Sequence, residues 1–264
     1  MNYPSTSLNV RPVRAFTDNY IWLIDSPLAP GRLVAVDPGD AGPVQAELRR
    51  SGASLAAILL THHHPDHIGG VEGLLELGKV PIFGPEDRRI PWPHRIVRDG
   101  DRCGLPELGL EFEILAVPGH TLSHIAFWGH GALFCGDTLF SAGCGRLFEG
   151  TPAQMNDSLN RLRALPPETR MYCGHEYTAA NLRFALTVDP GNQGAREYSA
   201  AVELTRSADL PTLPSLMSLE TRVNPFLRCD TTAIRAAAEA HAGKPLAEPA
   251  QVFGVLRAWK DSFR

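Results

Sequence analysis

THHHPDH, residues 61–67, follows the apolar run Leu55–Leu60, precedes Ile68-Gly69-Gly70, and holds four of the chain's ten histidines. A helix-borne metal pair stands at i and i+4, and the spacing His62-x-His64-x-Asp66-His67 does not fit one helix face. In an extended chain alternate side chains share a side. His62, His64 and Asp66 then point one way and His63 the other. Pro65 favours this, because a residue before proline is pushed out of the helical region. A turn after Asp66 brings His67 back toward the same centre. Asp66 taken alone reads as the N-cap of a helix from His67 to about Leu77, a reading that leaves the crowd of imidazoles unexplained.

Around this loop the first two thirds of the chain alternate short apolar runs with turn residues. Tyr20–Ile24, Leu33–Val36, Leu55–Leu60, Phe112–Val117, Ile125–Trp128, Ala132–Cys135 and Met171–Cys173 read as strands, and Val44–Arg50 as a helix. Asp37-Pro38-Gly39-Asp40 closes the second strand, and Gly129-His130-Gly131 turns between the fifth and sixth. Strands interleaved with short helices indicate an α/β fold, with sheet covered by helices. His120, Asp137 and His175 each follow a glycine just past the end of one of these strands, where an α/β sheet presents its site.

Together with the loop they make seven nitrogen and oxygen donors. A catalytic zinc takes about three protein ligands and keeps a position open, so seven donors suit two metals if one carboxylate is shared. Imidazole and carboxylate without thiolate suit zinc, and also iron or manganese. Two such ions ~3.5–4 Å apart can hold a hydroxide whose pKa falls toward ~7, and Asp66 is placed to orient it.

After His175 the texture changes. Tyr177–Leu186, Ala195–Ser207, Thr232–Ala242 and Ala250–Lys260 carry helical spacing of apolar residues, with the Pro-rich LPTLPSLMSLETRVNPFLR between two of them. Residues 176–264 therefore read as a helical appendage to a domain of residues 1–175. The 264 residues are 44% hydrophobic and carry 25 Lys plus Arg against 29 Asp plus Glu, for a net −4. No field of either sign points to nucleic acid or to a membrane surface. MNYPSTSLNVRPV has no long apolar core after a charged start, so no signal peptide is expected. The five cysteines are an odd number without a CxxC pair, so a disulfide framework is not expected and a reducing, cytoplasmic setting is. Cys144 reads as packing or turn structure, Cys135 and Cys173 as core, and His124 as support for the site or core rather than a ligand.

The HxHxDH pattern at His62–His67 resembles the signature of the metallo-β-lactamase superfamily. FTDNYIWLI (16–24), PGHTLSH (118–124), GDTLFSAGCGRLFEGT (136–151), YCGHEYTAANLRFA (172–185) and VNPFLR (223–228) narrow the resemblance to the glyoxalase II, or hydroxyacylglutathione hydrolase, family. The resemblance implies a four-layer αββα sandwich followed by a smaller helical domain that binds substrate. It implies that His62, His64 and His120 hold one metal, Asp66, His67 and His175 the other, with Asp137 bridging. It implies hydrolysis of S-lactoylglutathione to lactate and glutathione, the second step of methylglyoxal detoxification. A monomer that engages neither nucleic acid nor membrane is expected. Arg146, Tyr177, Asn181, Arg257 and Lys260 become the glutathione contacts. Arg146 stands where many members have lysine, and Phe148 where some have tyrosine, which removes a hydroxyl contact. From composition alone Arg257 and Lys260 are simply a solvated helix face. A lactonase of the same fold would keep the seven donors without a cationic clamp, a persulfide dioxygenase would hold one iron, and a non-catalytic metal protein would close its ligand set to water.

Overall fold

The computed structural model of the chain describes residues 8–263. Residues 1–7, most of the stretch read above for a signal peptide, and residue 264 lie outside the described residues. Contacts gather the chain into two compact units that do not follow a boundary at 175. One runs up to Ala116 and adds Ser123–Gly136, and the other is Val117–Leu122 with Asp137 onward.

The first unit opens with β1 (Val10–Ala15), β2 (Asn19–Asp25) and β3 (Arg32–Val36), which pair antiparallel in that order. Helix α1 (Ala41–Ser51) then crosses to β4 (Ser54–Leu59), which runs parallel to β3. The Asp40 carboxylate caps α1 by accepting from the Gly42 N–H at 2.8 Å. Its Val44 and Leu48, four apart, are buried against the sheet in one cluster with Ile21, Leu33 and Ile58. β2 and β4 are buried at nearly every position, the mark of strands covered on both faces. Each such leucine or isoleucine contributes ~1.5–3 kcal/mol through burial. β1 carries Pro12 and sits at the sheet edge, where a missing N–H costs nothing.

Past the histidine loop come α2 (Pro65–Ile68) and α3 (Val71–Leu75), then β5 (Ile82–Gly84) and β6 (Arg95–Ile96), which extend the sheet in parallel. The antiparallel run β7 (Arg102–Leu105), β8 (Leu110–Ala116), β9 (Ile125–Gly129) and β10 (Ala132–Gly136) completes the unit. At the β9–β10 turn His130 and Gly131 both take positive φ, 52° and 71°, the two-residue hairpin geometry that matches strand twist.

The second unit holds the short hairpin β11 (Leu139–Phe140) and β12 (Gly143–Cys144), then α4 (Pro152–Arg163) and β13 (Arg170–Cys173). Helices α5 (Thr178–Val188) and α6 (Gln193–Ser207) follow. The two-residue β14 (Ser215–Leu216) then pairs antiparallel with β13, and α7 (Met217–Val223), α8 (Thr232–Ala242) and α9 (Pro249–Ser262) close the chain. α4 packs on α9, α5 on α6, and α8 on α9. Sequence reading passed over α4, although Thr151 and Gln154 form a reciprocal capping box ahead of it. The Pro-rich connector also holds structure, in β14 and α7. Among the described residues no helix is long and apolar enough to cross a membrane.

Candidate metal centre

In the first unit the extended run from β4 stops one turn sooner than the alternation argument expects. His64 is extended (φ −61°, ψ 144°) and is the N-cap of α2; Pro65 takes the first helical position, and Asp66 and His67 project from that first turn. The long helix from His67 to Leu77 does not form either. It breaks at Gly69-Gly70, where a Cβ on Gly70 would lie 2.4 Å from Ala41 N and 2.6 Å from Pro38 O. That contact draws the loop against the β3–α1 turn. His62 is buried, with its ring 4.7 Å from that of His64 and 4.2 Å from that of His67. His63 turns elsewhere, its Nδ1 3.3 Å from Asp87 Oδ2. Buried His124 stacks on His62 at 4.5 Å, a supporting place.

Sequence reading missed the residue that orients this cluster. Asp37 is buried at the end of β3 with φ 50°, a backbone state few aspartates adopt without cause. Its carboxylate accepts from Thr61 N at 2.7 Å and from Thr61 Oγ1 at 2.6 Å, and lies 3.0 Å from His67 Nδ1. Thr61 Oγ1, having donated to Asp37, accepts from His62 Nδ1 at 3.0 Å. Both rings thus carry their proton on Nδ1 and present Nε2 as a lone pair, the arrangement metal-ligating histidines use. Asn19 Nδ2 donates to Asp66 Oδ2 at 3.0 Å and aims that carboxylate. The turn signal Asp37-Pro38-Gly39-Asp40 marked this place as a strand end only.

In the second unit one carboxylate oxygen, Asp137 Oδ2, lies 3.5 Å from His120 Nε2 and 3.3 Å from His175 Nε2. His120 Nδ1 faces the Arg146 carbonyl at 2.9 Å, so its proton is spent there and Nε2 turns a lone pair toward the carboxylate. Such a pairing is repulsive unless a cation lies between the two. The donors present therefore fit a divalent metal.

The other sequence-identified residues divide. Tyr177 stacks on His175 (4.8 Å, 4°), and the ring of Phe148, 63% exposed, stands edge-on to His120 at 5.2 Å. The Arg146 side chain is 66% exposed. Asn181 is buried, with Nδ2 donating to Ser141 O at 3.0 Å. Arg257 does not lie on a solvated face: it is 5% exposed, donates to Cys144 O at 2.8 Å and pairs with Asp261 at 3.0 Å. Lys260 donates to Ala180 O at 3.2 Å over the ring of Phe184. Burial, then the positive charges of Arg257 and Arg183, bring its ammonium down to about 8. Burial pushes the Cys144 thiol up to about 11, which makes it an inert packing group.

Two family models together match residues 15–263. Residues 15–175 match the metallo-beta-lactamase superfamily, and residues 176–263 match the hydroxyacylglutathione hydrolase C-terminus. A hydroxyacylglutathione hydrolase of Nitrosomonas europaea is 48% identical over 257 residues, 97% of each chain. One from Alkalilimnicola ehrlichii is 54% identical over 251 residues, 94% of this chain and 97% of its own. Among solved structures, ETHE1 from Myxococcus xanthus shares the fold, with a TM-score of 0.64 at 24% identity over 96% of this chain and 98% of its own. TTHA1623, solved in a di-iron-bound form, has a TM-score of 0.60 at 28% identity over 82% of this chain and all of its own. The chain has the metallo-β-lactamase fold, with mixed sheets and helices and a helical C-terminal domain, and it belongs to the hydroxyacylglutathione hydrolase family.

Proposed function

We propose that this chain is a thioester hydrolase that cleaves S-(2-hydroxyacyl)glutathione, S-lactoylglutathione above all, to the 2-hydroxy acid and glutathione. His62, His64 and His120 hold one divalent ion, Asp66, His67 and His175 the other, and Asp137 serves both; zinc suits these donors, as do iron and manganese. The observation that carries this reading is the single Asp137 oxygen facing two Nε2 atoms. Residues 1–175 form the catalytic part and 176–264 the substrate-binding part. The chain works as a monomer in the cytoplasm, where its five buried free cysteines stay reduced.

Bound there, the ions supply Lewis acidity at the thioester carbonyl and activate water at neutral pH. Asp66, held by Asn19, orients the attacking water by accepting its proton at a carboxylate oxygen. A thiolate leaves readily, so no protein acid is required at the sulfur. Arg146 and Lys260 meet the carboxylates of glutathione, and Tyr177 and Phe148 flank the metal-binding rings. Arg257 and Asn181 act by holding the backbone at Cys144 and Ser141.

The test is the purified protein assayed on S-lactoylglutathione, with elemental analysis alongside. Release of free thiol and a content approaching two ions per chain are expected; a firm value near one after metal supplementation overturns the binuclear assignment, and absence of thiol release overturns the substrate.

Lys260 provides a second expected result. Its folded pKa of about 8 lies below the usual lysine value, so its charge is present below pH 8 and lost above it. The KM for the glutathione substrate should therefore climb as pH rises through 8, with a smaller change in kcat. In Lys260→Met the KM should be raised about ten-fold at pH 7, one charge-assisted contact's worth, and should not climb further. A wild-type KM flat from pH 7 to 9.5 would remove Lys260 from substrate binding.

A further inference from the structure

Outside the proposed metal residues, a buried polar assembly surrounds Glu220 on α7, which is wholly buried. Ser141 Oγ donates to its Oε1 at 2.8 Å, and Ser215 Oγ donates to the same oxygen. Ala142 N donates to Oε2 at 2.8 Å, and Asn224 Nδ2 to the same oxygen at 3.3 Å. Both oxygens are thus met only by donors, the pattern a carboxylate requires. Burial pushes the Glu220 carboxyl up, and these donors oppose that. An isolated acid in such a place is costly, and apolar packing is commonly the cheaper choice. A buried acid with every acceptor position met holds its surroundings in one arrangement.

What it holds is the tip of the β11–β12 hairpin. Ala142 takes φ 55° there, a left-handed state that needs support in a residue with a Cβ. Asn224 Nδ2 also donates to Phe140 O and Gly143 O, at 3.1 and 2.9 Å, and Asn181 Nδ2 donates to Ser141 O. Tyr198 OH lies 3.0 Å from Ser141 Oγ behind them. Side chains from α5, α6 and α7 therefore fix the hairpin from one side.

The hairpin's other end meets the metal residues. It starts two residues after Asp137 and leads out through Gly145, whose N–H bonds to Thr138 O at 3.1 Å. A Cβ on Gly145 would lie 1.9 Å from Asp137 O and 3.2 Å from His120 Nδ1, so no slack remains between the hairpin's exit and these two residues. The next carbonyl, Arg146 O, is the one that fixes the His120 ring.

We propose that Glu220, acting through Ser141 and Ala142, is a positioning residue for the metal ligands Asp137 and His120. This rests on the proposed metal-ligand roles of those two residues. The network also contains its own control. Ser141 and Ser215 donate to the same Glu220 oxygen, but Ser141 belongs to the hairpin and Ser215 to β14.

The experiment compares zinc-loaded wild type, Glu220→Gln, Ser141→Ala and Ser215→Ala. Zinc transfer to a chromophoric chelator and Tm are recorded for each. Glutamine presents an NH2 to two donors, so Glu220→Gln should lose zinc about ten-fold faster or more, on the scale of other supports behind metal ligands. Ser141→Ala should move the same way, while Ser215→Ala lowers Tm and keeps the wild-type transfer rate. Equal zinc loss in the two serine variants, or wild-type zinc retention in Glu220→Gln, overturns the proposal. Should Glu220→Gln fail to fold, the serine pair decides alone. A wild-type protein that takes up no zinc, iron or manganese defeats the metal-ligand reading itself, a result separate from any difference among variants.

Discussion

Replacing His64 with alanine should strip metal from this protein and lower kcat/KM about a thousand-fold, the loss of ~4 kcal/mol of Lewis-acid stabilisation. His63→Ala, one residue away, should keep both metal and turnover. The difference comes from direction. His64 is the last extended residue before α2, on the side of His62, whereas His63 faces Asp87. His63→Ala does remove that partner, but Asp87 keeps Arg89 at 2.7 Å and the Ser123 hydroxyl at 2.6 Å, so its carboxylate stays paired and the variant should still fold. Elemental analysis and steady-state kinetics on the two variants check this. Equal metal loss in both would falsify the division of labour within the loop.

Asp37→Asn should weaken metal binding and activity by about 10–100-fold, although Asp37 is assigned to neither metal. One carboxylate receives the Thr61 N–H, the Thr61 hydroxyl and the His67 ring, and through Thr61 it fixes His62 as well. An asparagine retains the acceptor for Thr61 N but sets an NH2 against the groups that donate to Oδ2. His67 then loses the partner that keeps its proton on Nδ1. Nitrogen chemical shifts of the His67 ring in the zinc-loaded protein would report a changed tautomer. Metal affinity equal to wild type in a folded Asp37→Asn protein rules the role out.

The sequence points to the proposed metal residues because such chemistry leaves a mark that packing does not: a crowd of imidazoles within six positions, and glycine before His120, Asp137 and His175. Elements with strong periodicity were also legible. The helix read at Thr232–Ala242 has those bounds, and those read at Ala195–Ser207 and Ala250–Lys260 extend by two residues or fewer at either end. The rest depended on long-range contacts. Asp37 lies 24 residues from Thr61 and 30 from His67, and in the sequence it is one aspartate in a turn. The long helix after the histidines failed because backbone from the β3–α1 turn stops it at Gly69-Gly70, something no local pattern records. Arg257 read as a solvated charge because its helix spacing says nothing of Cys144, 113 residues away. The Glu220 network hid for the same reason, since its hairpin partners Ala142 and Ser141 lie 78 and 79 residues off. α4 is different: its capping box and Pro152 were visible, and a strand-by-strand reading missed them.

Gly70 has a practical consequence for anyone wishing to move this metal loop into another protein. A Cβ there would collide with the backbone of Pro38, Asp40 and Ala41, in the same turn that supplies Asp37. Residues 61–70 are therefore no portable cassette. The smallest graft is two pieces, 37–41 and 61–70, carried on adjacent parallel strands, and a randomised library should leave both Gly70 and Asp37 untouched. Variation among the exposed positions of the loop changes the decoration; variation at those two changes where the loop runs.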